Sequence, residues 1–133
     1  MSNSLYNKGR EAFLTGAINW SVDNIKVALV DTGVYSWAAG HQFHSDLSGI
    51  VSVSANLTGK DVTDGIADAL DVTFSNVAAG GNSEALVIYK DTGVSATSPL
   101  IAFIDTATGL PVTPNNGDII VQWSNGANKI FKL

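Results

Sequence analysis

The sequence predicts a mainly β fold, a single-domain β-sandwich or small barrel of about seven strands with a short N-terminal α-helix. After Trp20 the chain consists of short runs rich in Val, Ile and aromatic residues, separated by clusters of Gly, Asn, Asp and Ser. Helical patterning is confined to residues 1–16. A length of 133 residues is typical of one domain, so residues 1–133 are predicted to form a single β-rich unit.

The N-terminal segment predicts a helix of about three turns over residues 4–15. Ser4 is a suitable N-cap, and Gly16 can supply the left-handed residue that ends the helix. Gly9 lowers the helix propensity of this segment. The residues expected near one face are Leu5, Gly9, Ala12 and Phe13.

The first strand is predicted over residues 25–31, within the strand-forming region 25–133. Its apolar side chains fall on both sides of the pleat, which predicts a strand covered on both faces. A long loop follows over residues 34–48, rich in aromatic residues and histidine but without a period of 2 or 3.6. Long irregular loops in compact domains are often functional.

The remaining strands are predicted from apolar runs bounded by turn residues. Residues 50–57 alternate apolar and polar, as a half-solvated strand does, with the valines facing the core. The last two strands are predicted to form a hairpin around Asn125 and Gly126. The final strand is an edge that either pairs with a neighbour or is protected by Lys129 and Lys132. The other predicted strands are residues 70–77, 84–90, 99–105, 118–124 and 129–133.

Composition excludes several classes of function. The 12 acidic residues outnumber the 7 basic ones, giving a net charge of −5, which argues against nucleic acid as a partner. There is no cysteine, so disulfides and thiolate metal sites are excluded. No apolar run reaches the ~20 residues of a membrane helix, and no signal-peptide pattern is present. Charged residues are only 14% of the chain, so its surface permits extensive contact with other proteins.

Two Asp-Thr-Gly triplets, at residues 31–33 and 91–93, are the sharpest catalytic hypothesis. Aspartic proteases pair two such carboxylates, which share one proton and activate a water. The apolar-apolar-Gly segment that packs against each turn in those enzymes has no convincing counterpart here. Asp and Gly are also common in turns, so we interpret both triplets as turns and expect no enzymatic activity. An aspartic hydrolase using Asp31 stays an alternative.

Three further groups of side chains have a simpler interpretation as structural residues. His41 and His44 have a spacing that can hold a metal, but nothing nearby completes a ligand set. Four aspartates depart from the spacing of a calcium loop: Asp61, Asp64, Asp68 and Asp71. Three tryptophans could line a sugar-binding face, although packing is their commoner role: Trp20, Trp37 and Trp123. We therefore expect no metal and no cofactor.

Several segments resemble a family of small structural proteins of tailed bacteriophages. They are residues 5–14 (LYNKGREAFL), 25–31 (IKVALVD), 57–65 (LTGKDVTDG), 85–90 (ALVIYK), 109–114 (GLPVTP) and 128–133 (NKIFKL). The resemblance spans nearly the whole chain and includes no reactive residue. It implies a virion component assembled in the bacterial cytoplasm, most simply a head decoration or cement protein. Its partners would be the major capsid protein or other virion subunits.

Alternatives to a decoration protein remain open within and outside that class. A tail, neck or fibre-like adhesion component would suit the same surface properties. A sugar-binding β domain, using Trp37, belongs to a different class. For the decoration role we predict a small cyclic homo-oligomer, with contacts from the N-terminal helix, the 34–48 loop and the final strand. The predicted interface residues are Leu5, Tyr6, Phe13, Tyr35, Trp37, Phe43, Ile130 and Phe131.

Overall fold

An antiparallel sheet of five strands forms the centre of the fold. The computed structural model describes residues 4–80, 82–105, 110–123 and 129–132. The elements are β1 (Ser4–Leu5), α1 (Asn7–Leu14), β2 (Ile25–Val30), β3 (Ile50–Val53), β4 (Ile66–Ala67), β5 (Val72–Phe74), β6 (Ala85–Lys90), β7 (Leu100–Ile104), β8 (Ile119–Val121) and β9 (Phe131–Lys132). Neighbours in the central sheet follow the order β1-β7-β6-β2-β3, and two ribbons of two strands each, β4–β9 and β5–β8, pack beside it.

Helical structure in the described residues is limited to α1 and three 3₁₀ turns, His44–Asp46, Thr63–Gly65 and Ser95–Thr97. The predicted mainly β class is therefore confirmed, in an arrangement compatible with a small β-sandwich. The predicted terminal hairpin is wrong. Strand β8 pairs with β5, and β9 pairs with β4, so the last two strands do not pair with each other. The turn predicted at Asn125 and Gly126 lies outside the described residues. Strands β1 and β4, two residues each, were not predicted because they are too short to show a period.

Both faces of the central sheet are buried, as predicted for the first strand. The ribbon face, which carries Val27, Leu86 and Ile101, packs against the two ribbons and the helix. The loop face, which carries Ala28, Val87 and Phe103, packs against side chains of the 34–48 loop. Alternate residues of β2 and β6 enter opposite faces, because successive side chains of a strand point to opposite sides. Water is therefore excluded from both sides of these strands.

The helix begins later than predicted and uses a different cap. Ser4 lies in β1, so its predicted N-cap role is wrong, and Tyr6 precedes the first helical turn without a side-chain capping bond. The Tyr6 N–H donates to the carbonyl of Ile101 at 3.0 Å, so the start of the helix is attached to β7. At the other end Gly16 has a φ of +78°, as predicted for the left-handed residue.

Gly9 has a packing role that explains its place in a helix. A β-carbon at this position would lie 2.6 Å from the carbonyl oxygen of Leu100 and 3.0 Å from that of Ile101. These two residues lie where the β6–β7 register shifts, so Ile101 is an extra residue in β7. The helix therefore crosses the backbone of β7 at a β-bulge, at a distance that only glycine permits.

The predicted alternation of residues 50–57 is wrong at Val53 and Ser54. Val53, the last residue of β3, is exposed although it was predicted to face the core, and Ser54 is buried although it was predicted to face solvent. Its hydroxyl accepts the N–H of Val27 at 3.0 Å and donates to the carbonyl of Ala55 at 2.8 Å. Because the side chain replaces a backbone partner of β2 here, a serine occupies the buried position.

Candidate interaction surface

The eight residues predicted to contact other subunits fall into two groups by burial. Core packing within the chain accounts for the first group, whose side chains are buried: Leu5, Tyr6, Tyr35 and Ile130. The second group is partly exposed: Phe13, Trp37, Phe43 and Phe131. Contact with other subunits stays a prediction, and the partly exposed group is where the structure leaves apolar surface for it.

An apolar groove brings two of these residues together. The groove, of about 300 Å³, lies between the end of α1, the turn before β4, and β9. The ring centroids of Phe13 and Phe131 are 6.0 Å apart. The rings of Trp20 and Phe131 are nearly perpendicular, with centroids 5.3 Å apart. Val62 and Ala67 add aliphatic surface, and none of the described residues that line the groove is charged. Such a lining favours protein contact over the binding of a charged ligand.

Apolar side chains also stand out into solvent at and beside this groove. Leu14, next in sequence to Phe13, has 89% of its surface exposed, and Val62 has 49% exposed. Trp20 and Val62 were not predicted as contact residues. Trp20 had been assigned to packing, and Val62 lies in an aspartate-rich turn with no strand or helix period, so no sequence signal indicated either.

The loop face is closed by a chain of hydrogen bonds between aromatic residues. The hydroxyls of Tyr6 and Tyr35 share a hydrogen bond of 2.7 Å, and the Tyr35 hydroxyl lies 2.8 Å from Nδ1 of His41. Burial raises the pKa of both tyrosine hydroxyls, so both are neutral at physiological pH. The chain links α1, the start of the loop and its middle, which fixes the loop over the sheet.

The second half of the loop is held by polar contacts at the end of β6. The Asp46 carboxylate accepts the N–H groups of Gln42 at 2.9 Å and Phe43 at 3.1 Å, and these bonds lower its pKa. His44 packs on Tyr89, with ring centroids 4.6 Å apart, and its Nδ1 lies 2.8 Å from the hydroxyl of Ser95. Burial lowers the pKa of His44.

A more polar cleft of about 450 Å³ opens beside the loop. Trp37 and Phe103 provide its aromatic surface, and Glu84 and Asp105 provide carboxylates. One Glu84 oxygen accepts both the N–H of Thr32 at 2.7 Å and its hydroxyl at 3.0 Å. An aromatic side chain beside carboxylates is a chemistry that can bind sugars, which makes this cleft the structural counterpart of the sugar-binding alternative.

The two Asp-Thr-Gly triplets form matching turns, far apart. Asp31 accepts the N–H of Gly33 at 2.8 Å, and Asp91 accepts that of Gly93 at 2.9 Å. Strands β2 and β6 are antiparallel, with Val30 paired to Ala85 and Ile25 to Lys90. Asp31 therefore follows one end of this pair, and Asp91, which falls opposite Asn24, follows the other, about 23 Å away along the strands. A proton-sharing pair of carboxylates within one chain is incompatible with this geometry.

The other sequence hypotheses also resolve into structural contacts. The indole N–H of Trp20 donates to the carbonyl of Asp68, and that of Trp123 donates to the carbonyl of Leu70, both at 3.1 Å. Both rings are buried on the ribbon face, whereas Trp37 packs on the loop face, so the tryptophans share no sugar-binding surface. Within the described ranges no group of three or more His, Asp or Glu side chains could hold a metal.

The helices of the described residues are all too short to cross a bilayer. No protein-family model matches the sequence, and no curated protein is significantly similar to it.

Proposed function

We propose that this protein is a non-enzymatic structural subunit of a bacteriophage particle, acting as a decoration or cement protein on the head. The apolar groove is the observation that carries the structural role. Its described lining has aromatic walls, no charged residue and the exposed side chain of Val62, and the exposed side chain of Leu14 follows the groove residue Phe13 in sequence. Exposing such an apolar patch to water is unfavourable for a free monomer, whereas a subunit of an assembly covers it with neighbouring protein.

The assignment to a phage particle is supported by the sequence resemblance to structural proteins of tailed bacteriophages. The low charge fraction of 14% adds to it, because surfaces buried between subunits are depleted in charge. The net charge of −5 favours the outside of the head over contact with the packaged genome. We propose the major capsid protein as partner, and a tail, neck or fibre position is the nearest alternative.

Binding to phage heads tests this proposal. Purified protein is mixed with heads that lack it, and bound protein is measured by co-sedimentation, with its position determined by cryo-electron microscopy. Leu14→Glu and Val62→Glu place a charge on the proposed contact and are expected to weaken binding on the order of tenfold or more. A failure of the wild-type protein to bind heads would overturn the decoration role, and density on the tail would support the alternative position.

The matched control is Val94→Glu. Val94 is 56% exposed and, unlike Val62, does not line the groove, and unlike Leu14 it is not next in sequence to a groove residue, so the variant places the same charge on an exposed apolar residue elsewhere. It is expected to bind heads like the wild-type protein. Equal loss in all three variants would show a general effect of charge and would remove the groove from the proposal.

Sugar binding is a second function that one observation favours, namely the cleft with Trp37 beside Glu84 and Asp105. If the cleft is an adhesive site on the virion, screening against a glycan array should find a ligand that Trp37→Ala abolishes. Val62→Glu, in the groove, should leave that binding unchanged. An array without any bound glycan would dismiss this second function.

A further inference from the structure

The seven basic residues of the chain divide into two groups, and all seven lie in the described ranges. Four are bound within the chain. Lys8 pairs with Glu11 at 3.0 Å, Lys26 with Asp91 at 2.9 Å and Lys90 with Asp23 at 3.2 Å. Lys60 donates to the backbone carbonyl of Asp23. The positive charge of this group is therefore neutralised or engaged locally.

The other three, Arg10, Lys129 and Lys132, form no ion pair with the described part of the chain, and all three line one cleft. We call it the basic cleft. It has a volume of about 380 Å³ and lies between α1, β7 and β9, and the described residues that line it include no Asp or Glu. Three uncompensated cations repel one another, so their convergence in a chain of net charge −5 indicates an anionic partner.

The chain also carries an acidic segment without matching cations, which we define as residues 61–71. Its carboxylates contact only neutral groups: Asp61 accepts the hydroxyl of Thr63 at 2.9 Å, and Asp71 accepts the N–H of Trp123 at 3.0 Å. None of its aspartates has an ion pair with the described residues: Asp61, Asp64, Asp68 and Asp71. Without the three basic residues of the cleft, the chain has four basic and 12 acidic residues, a net charge of −8.

The acidic segment and the basic cleft lie on the two strands of the same ribbon. Strand β4 is part of the acidic segment, and β9, which carries Lys132, is paired with it through Ile66 opposite Lys132. One strand of the ribbon is thus flanked by acids and the other by bases. If two copies are related by a two-fold axis and their ribbons face each other, the acidic strand of each copy lies against the basic strand of the other. The same contact is then made twice, as an isologous interface requires.

We propose that the basic cleft binds the acidic segment of a second copy of this chain, forming a two-fold dimer. A second copy supplies carboxylates complementary to the cleft, whereas the acidic remainder of the surface repels a nucleic acid backbone. Phe131 lines both the basic cleft and the apolar groove, so the contact would also cover part of that ring. The inference rests on the proposed function, in which a shell subunit makes contacts with copies of itself.

Sedimentation velocity of the full chain at low and high salt tests this contact. The wild-type protein is expected to dimerise at low salt and to dissociate as salt screens the charges. Arg10→Glu combined with Lys132→Glu should weaken dimerisation by on the order of tenfold or more, and so should Asp61→Lys combined with Asp68→Lys. Lys8→Glu is the control outside the cleft and should leave the dimer intact. Circular dichroism verifies that each variant is folded.

A charge-swap mixture makes the test specific. Equal amounts of the two reversed variants present complementary charges to each other, so the mixture should recover dimers that neither variant forms alone. A wild-type protein that stays monomeric at low salt and high concentration would overturn the inference. So would dimers that Arg10→Glu with Lys132→Glu leaves unchanged.

The same variants separate this contact from the proposed function. A folded variant that no longer dimerises but still binds phage heads supports the dimer contact and leaves the decoration role standing. A wild-type protein that dimerises in a salt-dependent manner but ignores heads contradicts the decoration role alone.

Discussion

The two faces of the central sheet exclude water from the same strands by different means. The ribbon face is closed mainly by apolar side chains, many of them from strands, and none of the described residues of its core is ionisable. The loop face is closed by the irregular 34–48 loop, whose buried contacts include two tyrosine hydroxyls and an imidazole. The ribbon face is thus stabilised mainly by close packing of apolar side chains, and the loop face by a few directional hydrogen bonds.

This difference shows how an irregular loop can be held in one position as firmly as a strand. A buried hydroxyl without a partner costs roughly 1–3 kcal/mol, so the loop has few positions in which Tyr6, Tyr35 and His41 are all satisfied. On the ribbon face the indole N–H groups of Trp20 and Trp123 also need their carbonyl partners, but most of its side chains are apolar and depend on how well they fill space. The faces should therefore respond to different perturbations.

Removing volume from the ribbon face should have the largest effect. Phe74 of β5 is fully buried, so Phe74→Ala leaves a cavity and should lower the free energy of unfolding by about 3–5 kcal/mol. The neighbouring Thr73 is exposed on the same strand, and Thr73→Ala should change it by less than about 0.5 kcal/mol. Urea denaturation of both variants measures the contrast. A small loss for Phe74→Ala would show that this face is loosely packed.

Adding a single methyl group where the helix crosses β7 should have the next largest effect. Alanine favours a helix over glycine by about 1 kcal/mol, yet Gly9→Ala should destabilise the protein by about 1–3 kcal/mol because the methyl meets the Leu100 carbonyl. Gly40→Ala, where the added methyl meets nothing within 4 Å, is the control and should be nearly neutral. A more stable Gly9→Ala protein would contradict the close approach.

Removing one oxygen atom from the loop face should have a smaller but specific effect. Tyr35→Phe leaves the buried Tyr6 hydroxyl without its partner and should cost about 1–2 kcal/mol in the free energy of unfolding. The double variant Tyr6→Phe with Tyr35→Phe removes both polar groups, so it should cost less than the two single changes added together. Additive losses in thermal or urea unfolding would show that the two hydroxyls act independently.

The sequence predicted the parts of the fold that depend on local pattern. The strands around residues 25–31, 84–90 and 99–105 were found because they are continuous apolar runs, and Gly16 because a helix end favours a left-handed residue. The terminal hairpin failed because pairing is decided by which faces must be buried. Strand β8 pairs with β5 on the ribbon face, and nothing local to Asn125 and Gly126 reveals that.

The candidate surface was predicted in its composition but not in its geometry. Phe13 and Phe131 were named from their segments, although 118 positions separate them and only the fold brings their rings together. Tyr6 and Tyr35 were named on the same grounds and are buried, because an aromatic residue in a loop has the same sequence signature in a core as at an interface. The basic cleft was not predicted as a site, since Arg10 and Lys132 meet only in three dimensions.

Acid should loosen the loop face before the ribbon face, with the smallest effect of the four changes. Burial lowers the pKa of the His44 ring, although the nearby Asp91 carboxylate opposes this shift. A depressed pKa in the folded state means that the neutral ring stabilises the fold above the unfolded pKa, and that this contribution is lost as the pH falls. As the pH falls below about 6.5, the ordinary pKa of histidine, the loop should therefore open more often.

Hydrogen exchange resolves the two faces in this range. Once rates are corrected for the intrinsic effect of pH, protection of amides in residues 42–47 should fall on acidification, because their bonds to Ser98 and to each other depend on the loop staying closed. Amides of β5 and β8, on the ribbon face, should keep their protection. In His44→Gln the loss at residues 42–47 should disappear, since no proton is taken up there. A uniform loss across both faces would instead mean that acid unfolds the whole sheet, and the two faces would then form one cooperative unit.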